Sequence, residues 1–235
     1  MPIGVIVNVL SVVLGGLLGS VAGNLLPEKL KQDMTSVFGI CALGMGISSI
    51  VLMRNMPAVV FSIIAGTLIG TALDIDGAIR RATAALLSRL NAGQGLDTRL
   101  MVTAMVLFCF SGTGVYGSLT SGMTGDHSIL IAKSVLDFFT AMIFATQLKK
   151  AVALIGVPQL VVMLLLFFSA RLILPLTNEV MIADFKACGG FILLATGLTI
   201  MSVKQIPVAN MILSMVLVMP VSAFWTTVLM PLFSV

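Results

Sequence analysis

Charged side chains are scarce in this chain of 235 residues. Only 9% of the residues are Asp, Glu, Lys or Arg, whereas ordinary soluble domains contain about a quarter. Thirteen basic and nine acidic residues cannot cover a water-soluble domain of this length with a polar surface. Apolar residues make up 59% of the chain, and the mean hydropathy is +1.17. These values exclude a soluble globular enzyme, a disordered chain and a nucleic-acid-binding protein.

Cysteine and histidine are rare as well. Cys41, Cys109 and Cys188 lie in or beside apolar runs, and their spacing fits neither a disulfide framework nor a zinc site. His127 is the single histidine of the chain, and one histidine makes a poor metal site. The sequence contains no P-loop, dinucleotide fingerprint or recognisable nucleophile motif. We therefore predict no metal site, no cofactor and no enzymatic activity.

Long apolar runs are abundant instead, and a membrane-spanning helix needs about 20 such residues. Eight runs approach this length: residues 3–26, 34–53, 57–73, 100–117, 128–148, 151–174, 185–203 and 207–232. The sequence therefore predicts an all-α, polytopic integral membrane protein with eight transmembrane helices. Pro220 is expected to kink the last span. The first span is expected to be retained, because no Lys or Arg precedes Lys29 to form the basic region of a cleaved signal peptide.

The basic residues divide unequally between the two sides that eight alternating spans define. One side collects nine: Lys29, Lys31, Arg80, Arg81, Arg89, Arg99, Lys149, Lys150 and Lys204. The other side collects three: Arg54, Arg171 and Lys186. Because the cytoplasmic side carries the excess of Lys and Arg, we predict that the first side is cytoplasmic and that both termini lie on the opposite, outer side of the membrane.

The chain is predicted to form one transmembrane domain over residues 1–235. Its expected parts are a first repeat at 1–73, a cytoplasmic loop at 74–99, a central segment at 100–148 and a second repeat at 149–235. Within the loop, residues 78–89 predict a short amphipathic helix that ends near residues 91–93 and lies on the inner membrane surface.

The first three spans resemble the last three in order and spacing. Residues 25–27 and 173–175 each end a span with Pro, and residues 43–48 and 194–199 share a Gly-containing pattern. Basic turns that end in Pro57 and Pro207 follow. Five spans separate the copies, so the copies would cross the membrane in opposite senses, as in many secondary transporters. The alternative is a chance likeness between apolar segments.

Glycines recur every fourth residue in two spans, at Gly15, Gly19 and Gly23 and again at Gly66 and Gly70. Such faces let helix backbones approach closely in lipid. The pattern does not distinguish packing within one chain from packing between two chains, and a homodimer is the favoured assembly.

The central segment holds the unusual chemistry. Ser111-Gly112-Thr113-Gly114 should break the fourth span, and irregular backbone at membrane depth needs protein or a wet cavity to satisfy its polar groups. Exposed amides and hydroxyls there could bind an ion or a small polar solute. The alternative is a tight packing contact.

The fifth span begins near Thr124 and Asp126 and carries Lys133 and Asp137. These two charges are four residues apart, so they are neighbours on one helix face. Ionisable groups inside a membrane cost several kcal/mol and mark functional sites by default. Protonation of Asp137 would release Lys133 and couple ion movement to gating. The alternative is a structural salt bridge that fixes helix register.

The same region resembles the YqgA/YdfK family of bacterial inner-membrane proteins, and most of all its YqgA branch. The resemblance rests on Ser111-Gly112-Thr113-Gly114, Gly122-Met123-Thr124-Gly125-Asp126, Ile131-Ala132-Lys133-Ser134 and Leu136-Asp137-Phe138-Phe139. It covers nearly the whole chain. The resemblance implies a polytopic membrane protein of the bacterial plasma membrane and implies no substrate.

The sequence thus favours a small-solute or ion transporter with a lipid bilayer and a small solute or ion as its partners. The alternatives are an ion channel, a non-transporting scaffold and, least favoured, an intramembrane enzyme. The predicted binding residues are Ser111, Gly112, Thr113, Gly114, Thr124, Asp126, Lys133, Ser134 and Asp137.

Overall fold

The computed structural model describes residues 1–22, 27–89 and 98–233, and all the regular structure in them is helical. The helices are α1 (Ile3–Ala22), α2 (Glu28–Ile50), α3 (Met56–Ala72), α4 (Ile75–Arg89), α5 (Thr98–Phe110), α6 (Gly112–Thr124), α7 (Ser128–Leu148), α8 (Ala151–Leu154), α9 (Gly156–Ile173), α10 (Glu179–Ile200), α11 (Val208–Phe224) and α12 (Met230–Phe233). A 3-10 turn at Leu174–Leu176 follows α9, and a π-helical turn at Trp225–Leu229 joins α11 to α12.

Seven helical stretches within the described ranges are long and apolar enough to cross a membrane. An eighth results if α3 and the start of α4, which meet at a bend of 49°, count as one span. These stretches confirm the prediction of an all-α polytopic membrane protein. The predicted amphipathic helix corresponds to α4, whereas its predicted end at residues 91–93 lies outside the described residues, as do Gly23, Leu25 and Leu26.

The bounds of two predicted spans need correction at their N-terminal ends. Helices α2 and α10 begin at Glu28 and Glu179, six residues before the starts predicted at 34 and 185. Each has a polar first stretch that hydropathy assigns to a loop. An acidic residue in the first turn suits the positive end of the helix dipole, so these stretches are helical despite their polarity.

The fourth span also extends further than predicted. Its expected end was residue 117, but α6 continues to Thr124 and ends at Gly125, which caps the helix with a left-handed φ of 73°. The Gly- and hydroxyl-rich stretch is therefore mostly helical. The chain leaves the helix only at Ser111, between α5 and α6.

The described helices form two compact units. The first contains Met1–Phe38 and Gly77–Leu172, and the second contains Gly39–Asp76 and Ile173–Val235. In the first unit α1 packs along α7 in the same direction, with Gly15 against the backbone of Phe138 and Gly19 against that of Met142. The described glycines of this predicted face thus pack within the chain.

In the second unit α3 packs along α11 in the opposite direction. Gly66 lies against the backbone of Ser214, and Gly70 lies against that of Asn210. Asn210 supports the same contact, because its Oδ1 accepts from Asp76 N–H at 2.8 Å and its Nδ2 donates to Thr71 at 3.4 Å. Both glycine patterns therefore serve contacts inside the chain, and they no longer argue for a homodimer, which stays a prediction.

The second unit also contains a reciprocal crossing of α2 and α10. A methyl group added to Gly46 or Gly190 would meet the other residue's carbonyl oxygen at 2.6–2.7 Å, and Gly39 and Gly197 are related in the same way at 2.8–2.9 Å. Sequence positions 151 residues apart match between the two helices: Glu28 with Glu179, Asp33 with Asp184, Gly39 with Gly190 and Gly46 with Gly197. Gly46 therefore contacts the repeat counterpart of Gly39, and Gly39 contacts the repeat counterpart of Gly46. An inverted repeat requires this exchange.

Helix directions support a count of eight spans. Helix α1 is parallel to α7, whereas α3 is antiparallel to α11 and parallel to α10. Eight alternating spans produce all three relations. If α3 were not a span, α1 and α7 would have to run in opposite directions.

Candidate functional site

The centre of the first unit is an ion pair on α7. Lys133 Nζ donates to Asp137 Oδ2 at 2.5 Å, and the two side chains are 3% and 9% exposed. The predicted spacing of four residues does place both charges on one helix face. Two buried opposite charges at this distance offset much of each other's desolvation cost.

Two amide side chains extend this pair across three helices. Asn8 of α1 donates from Nδ2 to Asp137 Oδ2 at 2.9 Å, and Gln159 of α9 donates from Nε2 to Asn8 Oδ1 at 2.8 Å. Asn8 makes the interhelical hydrogen bond that an isolated polar residue in a span suggests. Gln159 was missed by sequence reasoning, and its one available signal was an amide side chain within an otherwise apolar run.

The helix break predicted at residues 111–114 lies beside the same pair. Ser111 is the N-cap of α6 and accepts a hydrogen bond from Gly114 N–H at 3.2 Å. A methyl group added to Gly114 would lie 3.1 Å from Lys133 Cε and 3.2 Å from Ser111 Oγ. The lysine side chain therefore extends to the first turn of α6, which is formed by Gly112, Thr113 and Gly114.

This arrangement brings the ends of two helices, α5 and α6, beside the ion pair. The first amides of a helix lack partners within it, and they form the positive end of the helix dipole. Lys133 adds a full positive charge beside that end, while Asp137 supplies one carboxylate. The last carbonyls of α5, which ends at Phe110, bring the negative end of a second helix dipole to the same break, so the break offers both donors and acceptors to a polar group or ion.

Three predicted site residues do not join the cluster. Thr124 and Asp126 are exposed at the other end of α6, about 18 Å along the helix axis from Gly112. Asp126 there accepts from the N–H of Ser128, the first residue of α7, at 2.9 Å. Ser134 donates to Leu130 O of its own helix at 2.7 Å. The positions of these three residues fit structural roles.

A polar face along α6 connects its two ends. Ser111, Gly114, Ser118 and Ser121 follow one another at intervals of three or four residues, so they share a side of the helix. Ser121 Oγ lies 2.6 Å from His127 Nδ1. This contact between a hydroxyl and an imidazole was not predicted from the sequence.

Three buried polar atoms of the first unit have no hydrogen-bond partner within the described ranges: Ser118 Oγ, Thr120 Oγ1 and Gln159 Oε1. Gln159 belongs to the charged network, and Ser118 belongs to the polar face of α6. Buried groups of this kind are costly unless another group satisfies them. Among the described residues no three His, Cys, Asp or Glu side chains are placed to hold a metal ion.

A second buried carboxylate, Asp184 of α10, lies in the second unit. It accepts from the N–H groups of Arg54 and Asn55 at 2.8 and 2.9 Å, from Asn55 Nδ2 at 2.9 Å and from Ser222 Oγ at 2.6 Å. Asp184 is fully buried. Sequence reasoning did not single out this residue, although its counterpart position in the first repeat is also an aspartate, Asp33.

Membrane-length helices that enclose a buried, hydrogen-bonded ion pair define a polytopic α-helical membrane protein. The chain matches the family described as "Protein of unknown function (DUF554)" over residues 3–223, and it belongs to that family. It is 47% identical over 231 residues to "Uncharacterized protein YqgA" of Escherichia coli (strain K12), covering 96% of this chain and 98% of that one.

A more distant relative is "Uncharacterized membrane protein YdfK" of Bacillus subtilis (strain 168). It is 22% identical over 227 residues, which cover 94% of this chain and 95% of that protein. No solved structure matches the chain. The resemblance to the YqgA/YdfK family is therefore confirmed. The name of YdfK states a membrane protein, and neither relative's name states an activity.

Proposed function

We propose that this protein is a small-solute or ion transporter of the bacterial inner membrane and has no enzymatic activity. The observation that carries the proposal is the contact between the buried Lys133–Asp137 pair and the helix break at Ser111. An interrupted span beside ionisable side chains is the arrangement in which secondary transporters bind their substrates. The reciprocal glycine crossing supports an inverted repeat, which is frequent in the same class.

The energetic cost of burying the Lys133–Asp137 ion pair supports a role for the pair beyond helix packing. A buried ion pair is often no more stable than well-packed apolar residues of similar volume. The network in the first unit moreover leaves Gln159 Oε1 without a partner among the described residues. A solute or ion bound within this network would supply the partner that Gln159 Oε1 lacks among the described residues.

The polar face of α6 supplies a proposed route for the coupling ion. His127 is half-buried, and its partner Ser121 is followed one turn away by Ser118. From Ser121 to Gly114 the helix rises about 10 Å. We propose that protons pass from His127 along this face to the Lys133–Asp137 pair, where protonation of Asp137 frees Lys133.

Solute-driven currents across proteoliposomes on a solid-supported membrane test the proposal. The probes are inorganic phosphate, short-chain carboxylates, Na⁺ and K⁺, each added as a concentration jump. We expect a saturable transient current for at least one probe, its loss in Asp137→Asn and Lys133→Ala, and a wild-type response in the control Lys149→Ala, an exposed lysine after α7.

Each other outcome has a definite meaning. Full currents in both variants would refute the roles of Lys133 and Asp137. Unitary single-channel steps would establish the ion-channel alternative. No current for any probe, with a stability loss as the sole effect of the variants, would favour a non-transporting scaffold.

We further propose that both termini face the periplasm, because the basic residues favour the opposite side by nine to three. Labelling of single cysteines in intact cells, in a variant without the native cysteines, tests this orientation. A cysteine inserted directly after Met1 should react with an impermeant maleimide, whereas one replacing Lys150 should react after lysis alone.

A further inference from the structure

A cavity of about 370 Å³ lies in the second unit, away from the charged pair of α7. The segment that follows α2 and the first two turns of α10 line it. The lining residues are Val51, Leu52, Met53, Arg54, Glu179, Ile182, Ala183 and Lys186. Its volume falls within the about 300–1,000 Å³ that small-molecule sites occupy.

Three of the lining side chains are charged, and two of them are basic. Within the described part of the chain, Arg54, Glu179 and Lys186 form no ion pair with one another or with any other side chain. The lining side chains therefore carry a net charge of +1, and the buried carboxylate of Asp184 lies behind this wall at the Arg54 N–H. The rest of the cavity wall is apolar, chiefly Val51, Leu52 and Ile182.

Buried hydrogen bonds fix the wall that carries Arg54. The N–H groups of Arg54 and Asn55 both donate to Asp184 Oδ1, at 2.8 and 2.9 Å. Asn55 is 4% exposed and Asp184 is fully buried, so this turn is held from inside the unit. Arg54 thus extends from a backbone position that is fixed before any ligand arrives, which lowers the entropic cost of binding.

We propose that this cavity binds a small organic anion with one anionic head group on a short apolar body. The carboxylate or phosphate group would lie between Arg54 and Lys186, since Arg pairs bidentately with both anions. The apolar body would contact Val51, Leu52 and Ile182. Glu179 disfavours a second negative charge on the ligand. A free metabolite and a lipid head group share this chemistry, and nothing in the proposal depends on transport at the α7 pair.

Isothermal titration of the full-length protein in nanodiscs of zwitterionic phosphatidylcholine tests the proposal. Hexanoate and hexyl phosphate are the anionic probes, and hexanol and hexylamine are the neutral and cationic controls. We expect saturable binding of at least one anion and none of either control. The double variant Arg54→Gln/Lys186→Gln should weaken binding by about tenfold or more, which corresponds to about 1.4 kcal/mol.

Lys204→Gln is the matched control, because Lys204 occupies the repeat position equivalent to Arg54 but does not line the cavity. It should bind like the wild type, whereas Glu179→Gln should bind the anion more tightly. All variants should retain the wild-type melting temperature without ligand, which excludes misfolding as the cause.

A second arm separates the two sources of the anion. If the site takes free anions, hexanoate should bind equally well in nanodiscs that contain phosphatidylglycerol. If the site takes a lipid head group, phosphatidylglycerol should compete with hexanoate. The proposal is overturned if neither anion binds saturably and phosphatidylglycerol gives no Arg54-dependent protection. It is also overturned if hexanol binds equally well, or if Lys204→Gln loses as much affinity as the double variant. Binding is measured without flux, so failure here leaves the transport proposal untouched.

Discussion

The two units each bury one aspartate on a membrane-length helix, and they stabilise it by different means. In the first unit Asp137 is neutralised by a lysine one turn earlier and receives one further hydrogen bond, from Asn8. In the second unit Asp184 has no salt-bridge partner in the described residues and accepts four hydrogen bonds from two backbone amides, an asparagine and a serine.

The two carboxylates therefore differ in mobility: the partner of Asp137 can move, whereas the partners of Asp184 are fixed. Backbone amides of a turn hold Asp184 in place, so its carboxylate connects α10 to the start of α3. The partner of Asp137 is a flexible lysine side chain that rests against a helix break. A lysine can leave its partner by rotating its side chain, whereas the Arg54 and Asn55 amides move only with the chain. The first unit is thus the better candidate for conformational change.

The largest expected effect comes from removing the carboxylate of the first unit. Asp137→Ala leaves Lys133 as a buried cation without its counter-ion, so we expect a loss of about 3–5 kcal/mol in the free energy of unfolding. Unfolding by SDS in mixed micelles measures it. The double variant Lys133→Leu/Asp137→Leu should lose much less. Equal losses in both variants would contradict the assignment of Asp137 as the counter-ion.

A smaller effect is expected at the second carboxylate. Asp184→Ala removes the acceptor of four hydrogen bonds and leaves buried donors unpaired, at a cost of about 2–3 kcal/mol in the same assay. Asp184→Asn retains one acceptor oxygen and should lose less than half of that. If asparagine were tolerated worse at 184 than at 137, the distinction between hydrogen-bonded and ion-paired carboxylates would fail.

The glycine contacts of α1 give the next effect in size. A methyl group at Gly15 would overlap the backbone of Phe138, whereas one at Gly44 would have no atom within 4 Å. We expect Gly15→Ala to cost about 1–3 kcal/mol from overpacking. Gly44→Ala should instead gain about 0.5–1 kcal/mol from helix propensity. If Gly44→Ala lowered the free energy of unfolding as much as Gly15→Ala does, overpacking could not be the cause of the loss at Gly15.

Sequence reasoning succeeded where the signal was local. Helix α7 begins and ends at the predicted residues, 128 and 148, because its apolar run stops at Lys149. The pairing of Lys133 with Asp137 and the helix break beside Ser111 were predictable, because each depends on residues within about one helical turn of each other. The starts of α2 and α10 were missed because acidic first turns lower hydropathy without ending a helix.

The partners of the buried charges were beyond such reasoning. Asn8 and Gln159 are 151 residues apart, and Asn55 and Asp184 are 129 residues apart. No periodicity within a helix connects them. Only the approach of α1 to α9, and of α3 to α10, brings these groups to hydrogen-bond distance.

The smallest effect on stability is expected at Ser118, whose hydroxyl is fully buried and unpartnered among the described residues. Ser118→Ala removes a hydroxyl that makes no hydrogen bond within the described residues. The free energy of unfolding should therefore stay within about 1 kcal/mol of the wild type. The transport current should nevertheless fall if protons pass along α6. An unchanged current would remove Ser118 from the route.

The break at Ser111 and the charged pair belong to two consecutive crossings, α5–α6 and α7, and the repeated helices lie before and after them. A pair of crossings returns the chain to the leaflet from which it departed. Gaining or losing this hairpin would therefore leave unchanged the directions in which α9, α10 and α11 cross the membrane.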